Sequence, residues 1–252
     1  MPEPAPVTAA ILIIGNEILS GRTQDANVAF LAKELGALGI RMREIRVVPD
    51  IEEEIVAAVN ALRERFGLVF TTGGIGPTHD DITSPSVAKA FGVEWVRHPA
   101  AVALLRRHYT GDDLNEARLR MATVPEGATL IDNPVSTAPG FQIGNVYVLA
   151  GVPAIMRAMF EGLKSRLPGG RPVSSRTVST FLGEGAIAAG LGALQDRFPE
   201  LEIGSYPFFR RGKFGTALVV RGTAEAALEK AADGLRGLVR SLGEEPIDGE
   251  VA

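Results

Sequence analysis

A chain of 252 residues exceeds the usual size of a single core and points to one large α/β domain with a smaller appendage. Its 46% apolar content supports a substantial interior, and a formal charge of −4 with no dense Lys/Arg block argues against a surface built to neutralise nucleic-acid phosphates. The absence of cysteine excludes disulfides, a thiolate nucleophile and Cys-ligated zinc or iron–sulfur clusters, so any metal must take oxygen or histidine ligands.

The opening residues Met1 to Thr8 carry no basic group, and the apolar run Ala9–Ile14 is too short for a secretory core. No stretch approaches the roughly 20 apolar residues of a membrane helix. The expectation is a cytoplasmic protein with neither membrane nor nucleic acid as partner.

Ala9–Ile14 reads as a strand buried on both faces of a parallel sheet, ending at Gly15. From Val28, the apolar positions Leu31, Ala32, Leu35 and Leu38 recur at helical spacing until Gly36 and Gly39. A second strand spans 42–48. Pro49-Asp50 opens a helix with a stripe of Ile51, Ile55, Val59, Leu62 and Phe66, and Glu52, Glu53 and Glu54 lie where the helix dipole favours anions. Leu68–Thr71 is a third strand. This alternation is the signature of a mostly parallel sheet with helices on both faces. Ser84 reads as a helix N-cap with Pro85 at the first helical position, and Gly92 ends that helix. Helical patterns follow at 100–109 and 114–121, then a loop-rich stretch at 125–144, a strand at 146–150 broken by Gly151-Val152-Pro153, and a helix at 154–167. The Pro/Gly cluster Pro168–Pro172 is the best linker, which divides the chain into domains 1–170 and 171–252. The second part reads as a small two-layer α/β unit: strand 177–182, helix 187–198, strands 202–206 and 214–221, helix 224–242, and a frayed acidic tail from Gly243.

Ligands of open α/β sheets bind beyond the carboxyl ends of the strands, which selects the loops Gly15–Asn27, Pro49-Asp50 and Gly73–Asp81. The segment Thr71-Thr72-Gly73-Gly74-Ile75-Gly76-Pro77-Thr78-His79-Asp80-Asp81 is the strongest feature. Glycines let main-chain N–H groups converge on an anion, a helix start just beyond adds its positive end, and Thr71, Thr72 and Thr78 offer hydroxyls. A tight turn without a ligand is the alternative. The spacing fits neither the dinucleotide fingerprint nor a P-loop. Asp80 and Asp81 beside a phosphate would repel it unless a divalent cation lay between, which implies a metal; alternatively one of them caps the next helix. Glu17 and Asp50 fall at the same sheet edge, although Asp50 with Glu53 also reads as a capping box, and Asp25 and Asn27 as caps of the first helix. His79, His98 and His108 have no ligand spacing and read as non-ligands. Trp95 and Phe208-Phe209 read as core or interface, and Arg210, Arg211 and Lys213 as a solvated turn.

Gly15-Asn16-Glu17-Ile18-Leu19-Ser20-Gly21 with Asp25 and Asn27, the segment from Thr71 to Thr83, Ala138-Pro139-Gly140-Phe141 and Gly151-Val152-Pro153 together resemble the molybdopterin-binding MoaB/MogA-like superfamily. The nearest resemblance, over residues 8–242, is to the amino-terminal domain of the competence/damage-inducible CinA proteins, whose small second unit also matches the part after residue 172. The resemblance places a phosphate, nucleotide or pterin against Thr71, Thr72, Gly73, Gly74, Gly76, Pro77 and Thr78, with Gly15, Asn16 and the Gly151-Val152-Pro153 turn beside it. It implies Asp81 and Asp50 as catalytic carboxylates, and Asp81, Asp80 and Glu17 as ligands of a divalent ion, magnesium, manganese or cobalt. The implied activity is metal-dependent hydrolysis of the phosphoanhydride of ADP-ribose, FAD or a related dinucleotide. The alternatives are a protein that binds or adenylylates molybdopterin in molybdenum-cofactor biosynthesis, and a binding module without turnover. A homo-oligomer, dimer or trimer, is implied, and amidase activity is not. Ala150 and Ile155 stand where the family carries proline and glutamate, and Ser136 where glycine is common.

Overall fold

One apolar run feeds two cores. Along β1 (Thr8–Ile14), Ala9, Ile11 and Ile13 enter one hydrophobic cluster, and Ala10, Leu12 and Ile14 enter another, because successive side chains of a strand point to opposite faces. The computed structural model describes residues 6–109, 113–210 and 212–251. Its backbone falls into two units, Met1–Gly170 and Arg171–Ala252. The expectations for residues 1–5, Arg211 and Ala252 lie outside the described residues.

After β1 the first unit runs through α1 (Asn16–Leu19), α2 (Asn27–Ala37), β2 (Arg41–Val48), α3 (Glu52–Arg65), β3 (Leu68–Thr72) and α4 (Thr83–Phe91). It continues with β4 (Trp95–Arg97), α5 (Pro99–His108), α6 (Glu116–Arg120), β5 (Thr123–Pro125), β6 (Thr129–Ile131), β7 (Gly140–Ile143), β8 (Val146–Leu149) and α7 (Pro153–Leu163). The main sheet has the order β2-β1-β3-β8-β7-β6, with the first four strands parallel and β7 antiparallel to both of its neighbours, β8 and β6. Leu31 and Leu35 of α2 pack with Met159 and Phe160 of α7 on one face; Ile55, Val59 and Leu62 of α3 pack with Val87 of α4 on the other. The result is the three-layer arrangement expected from the strand and helix order. Glu52, Glu53 and Glu54 occupy the first turn of α3 and Arg63 and Arg65 its last, both matched to the helix dipole.

Three details differ from the sequence expectations. The stretch 125–144 contains β6 and β7, and β4 pairs with β5 in a separate ribbon; strands of three or four residues are too short to show a period. The loop after Gly15 holds the short α1. Ser84 lies inside α4, which starts at Thr83, and its hydroxyl donates to the Thr123 carbonyl at 2.8 Å while accepting from Trp95 Nε1 at 3.0 Å, so it caps nothing. Gly92 does end α4, in the left-handed region.

The second unit comprises β9 (Ser174–Thr180), α8 (Glu184–Arg197), β10 (Glu202–Arg210), β11 (Lys213–Gly222), α9 (Glu225–Ser241) and β12 (Ile247–Asp248), in an antiparallel sheet of order β10-β11-β9-β12. Ile187 and Leu194 of α8 and Leu228, Leu235 and Val239 of α9 pack onto Val178, Leu218 and Val220, which makes two layers. The tail from Gly243 is not frayed throughout: β12 pairs with β9, Asp248 bonds Arg236 at 2.8 Å, and the Gly249 carbonyl accepts from Ser179 Oγ at 2.6 Å. Arg210 and Lys213 pair across the β10–β11 hairpin. Among the described residues no helix is long and apolar enough to cross a membrane.

Phe70 is fully buried at the centre of the first unit, stacked on Tyr147 at 5.1 Å and edge-on to Phe160 at 6.0 Å. Phe70→Ala is expected to cost about 3–5 kcal/mol in urea unfolding, the range for emptying an aromatic site in a close-packed core.

Candidate functional site

β1 and β3 are neighbours, yet β2 and β8 lie on their opposite sides, so the chain leaves the two strands in diverging directions and opens a crevice at their carboxyl ends. The glycine segment turns there. Gly73 has φ +102°, and any Cβ on it would strike the Ile14 carbonyl of β1 far inside contact distance. Gly74, at φ +65°, leaves equally little room beside Thr83. Thr83 latches the turn to the first residue of α4: its hydroxyl donates to the Gly73 carbonyl at 2.9 Å and its N–H to the Gly74 carbonyl at 3.0 Å. The carbonyls are thereby engaged, whereas the N–H groups of Gly74, Ile75 and Gly76 find no acceptor among the described residues. A half-buried run of unpaired amides in a turn ahead of a helix suits an anion.

These three residues line a cleft of about 500 Å³. Its other sides are the Gly151-Val152-Pro153 turn and the loop from Asn133 to Ala138, and its walls are largely apolar, with Ile75, Met121, Val152 and Ile155. Glu17 and Asp81 are the carboxylates on it. Asp81 Oδ2 accepts from the N–H of Thr78 at 2.9 Å and from its hydroxyl, and a Cβ on Gly76 would come within 2.6 Å of this oxygen. Thr78 is thus occupied in shaping the turn. Asp80 is exposed beside His79, its carboxyl held below the ordinary range by the Thr78 hydroxyl and by its own amide.

Other expected site residues do different work. Asp50 forms no capping box, since Ile51 precedes α3 with no side-chain cap; its Oδ2 accepts the Asn16 N–H at 2.8 Å and ties the β2 end to the start of α1, and Asp50 itself does not line the cleft. The Gly15 N–H donates to the Val48 carbonyl at 3.2 Å beside this tie. Thr71 and Thr72 are buried in β3 with hydroxyls that find no partner among the described residues, and neither lines the main cleft. Asp25 does cap α2, accepting from Val28 N–H at 2.8 Å. Asn27 does not; its Nδ2 donates to the Gly151 carbonyl at 2.8 Å and holds that turn against the glycine turn.

The sequence reasoning missed Asn133, whose amide braces its loop by donating to Ser136 Oγ and the Ala138 carbonyl, both at 2.7 Å; the Asn133-Pro134 dipeptide marked a turn but not its place on the cleft. It also missed Arg120, which with Trp95 lines a narrow crevice behind Gly74–Gly76 and makes no ion pair among the described residues. Nothing in its spacing set it apart from the other basic residues of α6.

No three acidic or histidine side chains among the described residues are grouped to hold a metal ion, so Glu17, Asp50, Asp80 and Asp81 do not form a standing centre. Two carboxylates facing a phosphate cradle do match the donor set of a magnesium-type ion, which takes one or two carboxylates and completes its shell with ligand phosphates and water.

Residues 10–169 match the family model described as a probable molybdopterin binding domain. The chain belongs to that family. Residues 172–243 match a second model, the middle domain of FAD synthase. A protein from Pyrobaculum calidifontis is 40% identical over 213 residues, covering 79% of this chain and 80% of its own. A probable FAD synthase from Caenorhabditis elegans is 34% identical over 261 residues, 92% of this chain but 50% of the relative. The crystal structure of the CinA protein from Thermoplasma acidophilum is 37% identical and superposes with a TM-score of 0.61 over 64% of this chain and 98% of that one.

Membership of the molybdopterin-binding family makes a small molecule of nucleotide or pterin type the ligand class. Ser136, Ala150 and Ile155, the positions that depart from the family pattern, all lie on the cleft. The departures thus fall on the cleft wall and leave the glycine turn untouched. Gly73→Ala, which forces a side chain into a left-handed φ and into the Ile14 carbonyl, is expected to cost about 2–5 kcal/mol of unfolding free energy and to abolish phosphate-ligand binding by calorimetry.

Proposed function

We propose that the protein hydrolyses the phosphoanhydride of a dinucleotide such as ADP-ribose or FAD. The observation that carries this reading is the set of unpaired amides at Gly74, Ile75 and Gly76 on the same cleft as the Asp81 carboxylate. The amides hold one phosphate without bringing a full countercharge. The apolar wall of Met121, Val152 and Ile155 suits a planar ring attached to that phosphate. Asp81 and Glu17 would hold a magnesium, manganese or cobalt ion together with the ligand's phosphate oxygens; when bound, such an ion neutralises phosphate charge and lowers the pKa of a coordinated water.

Asp81 is itself oriented by Thr78, so its free oxygen is presented to the cleft in one setting. Arg120, behind the turn, adds positive potential where charge accumulates on the departing phosphate. Addition of water at one phosphorus and cleavage of its bond to the bridging oxygen converts ADP-ribose and water to AMP and ribose 5-phosphate, with the released protons passing to solvent.

The second family match, to the middle domain of FAD synthase, favours a dinucleotide over a pterin. Molybdopterin adenylylation needs the same cradle and remains the rival reading, supported by the name of the first family.

Purified protein incubated with ADP-ribose or FAD and magnesium, manganese or cobalt is expected to release AMP, measured by chromatography. Asp81→Asn, close to isosteric and able to keep the Thr78 contacts, is expected to lower kcat/KM by about 100-fold or more. No AMP with any of the three metals, or unchanged turnover in Asp81→Asn, would falsify the proposal. ATP-dependent consumption of molybdopterin without ADP-ribose cleavage would establish the rival.

A further inference from the structure

The loop from Asn133 to Ala138 forms one wall of the main cleft, and Asn133 fixes its shape. This residue is 3% exposed and spends its whole amide on the loop: Oδ1 accepts from the Val135 and Ser136 N–H groups, both at 3.1 Å, and Nδ2 donates to Ser136 Oγ and to the Ala138 carbonyl, both at 2.7 Å. The two main-chain donors determine which end of the amide is oxygen, so Ser136 Oγ is the acceptor in its bond to Asn133. The Ser136 hydroxyl proton is given to no acceptor among the described residues. Thr137, next in the chain, has φ +67°, the one positive φ outside glycine among the described residues and a conformation that a β-branched residue rarely takes. Its N–H is tied to the Asn133 carbonyl at 3.0 Å, and strain of this kind persists where surrounding bonds over-determine it. Ser136, half-buried and lining the cleft, is thus held in one setting with its proton unspent.

We propose that Ser136 is a specificity-determining residue whose hydroxyl donates to an acceptor on the edge of the ligand's planar ring, a ring nitrogen of a base or a carbonyl of a flavin; this rests on the nucleotide reading above and narrows it. The surroundings of Ser136 favour a ring over a second phosphate. None of the residues lining the cleft is lysine or arginine, so a phosphate against this wall would meet no countercharge. Ala138 of the same loop packs in one hydrophobic cluster with Met121, which belongs to the apolar wall assigned to the ring. The other polar side chains of the cleft are engaged or lie at other borders: the Asn133 amide is spent, Asp81 is bonded to Thr78, and Glu17 and Thr23 also line a smaller cavity of about 60 Å³ beside Gly73. A ring that displaces solvent from Ser136 without offering an acceptor leaves its proton unpaired, a cost that a ring with an acceptor avoids.

Ser136→Ala tests this, since it removes the hydroxyl and leaves Asn133 Nδ2 its bond to the Ala138 carbonyl. Calorimetry on the full chain compares AMP, FMN and the ringless ribose 5-phosphate. Ser136→Ala is expected to bind AMP or FMN at least about fivefold more weakly than wild type, the worth of one hydrogen bond, with the affinity for ribose 5-phosphate unchanged. Loss confined to AMP assigns a ring nitrogen of the base, and loss confined to FMN assigns a flavin carbonyl; loss for both assigns an acceptor position the two rings share. Equal affinity of wild type and variant for AMP and for FMN overturns the proposal, as does no binding of either to wild type. An equal loss for ribose 5-phosphate overturns it too, because the hydroxyl then acts on the shape of the cleft and not on the ring. Absence of hydrolysis with the ring-dependent difference intact would instead remove the pyrophosphatase reading and keep the role of Ser136.

Discussion

The contact between Gly73 and the Ile14 carbonyl is the constraint on which the site depends. β1 and β3 run side by side and end together, and the chain emerging from β3 must pass directly over the last peptide of β1. Only a residue without Cβ, and with access to a positive φ, can make that crossing. Once made, it lays the following amides across the crevice, and Thr83 secures their carbonyls to α4. The Gly151 turn at the end of β8 then lies against Gly73, and Asn27 clasps it from α2. Five elements are thus referred to one close approach of two backbones.

This explains what could be read from residues alone. The strands of the first unit are continuous apolar runs because both faces are covered, and the helices show their stripes because each covers one face; the layers follow from these patterns. The glycine turn was legible because its composition has few other uses. Side-chain partners were not. Asp50 stands at a helix start with an acid three residues on, and local pattern assigns it to its own helix, while the fold spends it on an amide 34 residues away. Asn27, Asn133 and Arg120 acquire their places from contacts across the sheet edge or from neighbouring loops, and no local spacing encodes those. Short strands such as β6 and β7 owe their existence to pairing, β7 with β8 and β6 with β7, rather than to any period of their own.

The electrostatic layout carries the functional argument one step further. Unpaired amides gather at Gly74–Gly76, Arg120 lines a narrow crevice on the same three residues, and the carboxylates Glu17 and Asp25 border the smaller cavity beside Gly73. Asp81 sits at the donor end, where its charge opposes a second anion. A lone phosphate meets attraction from the amides and repulsion from Asp81, and a lone cation meets too few carboxylates. Under the proposed function, a phosphate and a divalent ion arriving together would satisfy both, since each would supply the charge the other needs, and binding of the pair would be cooperative.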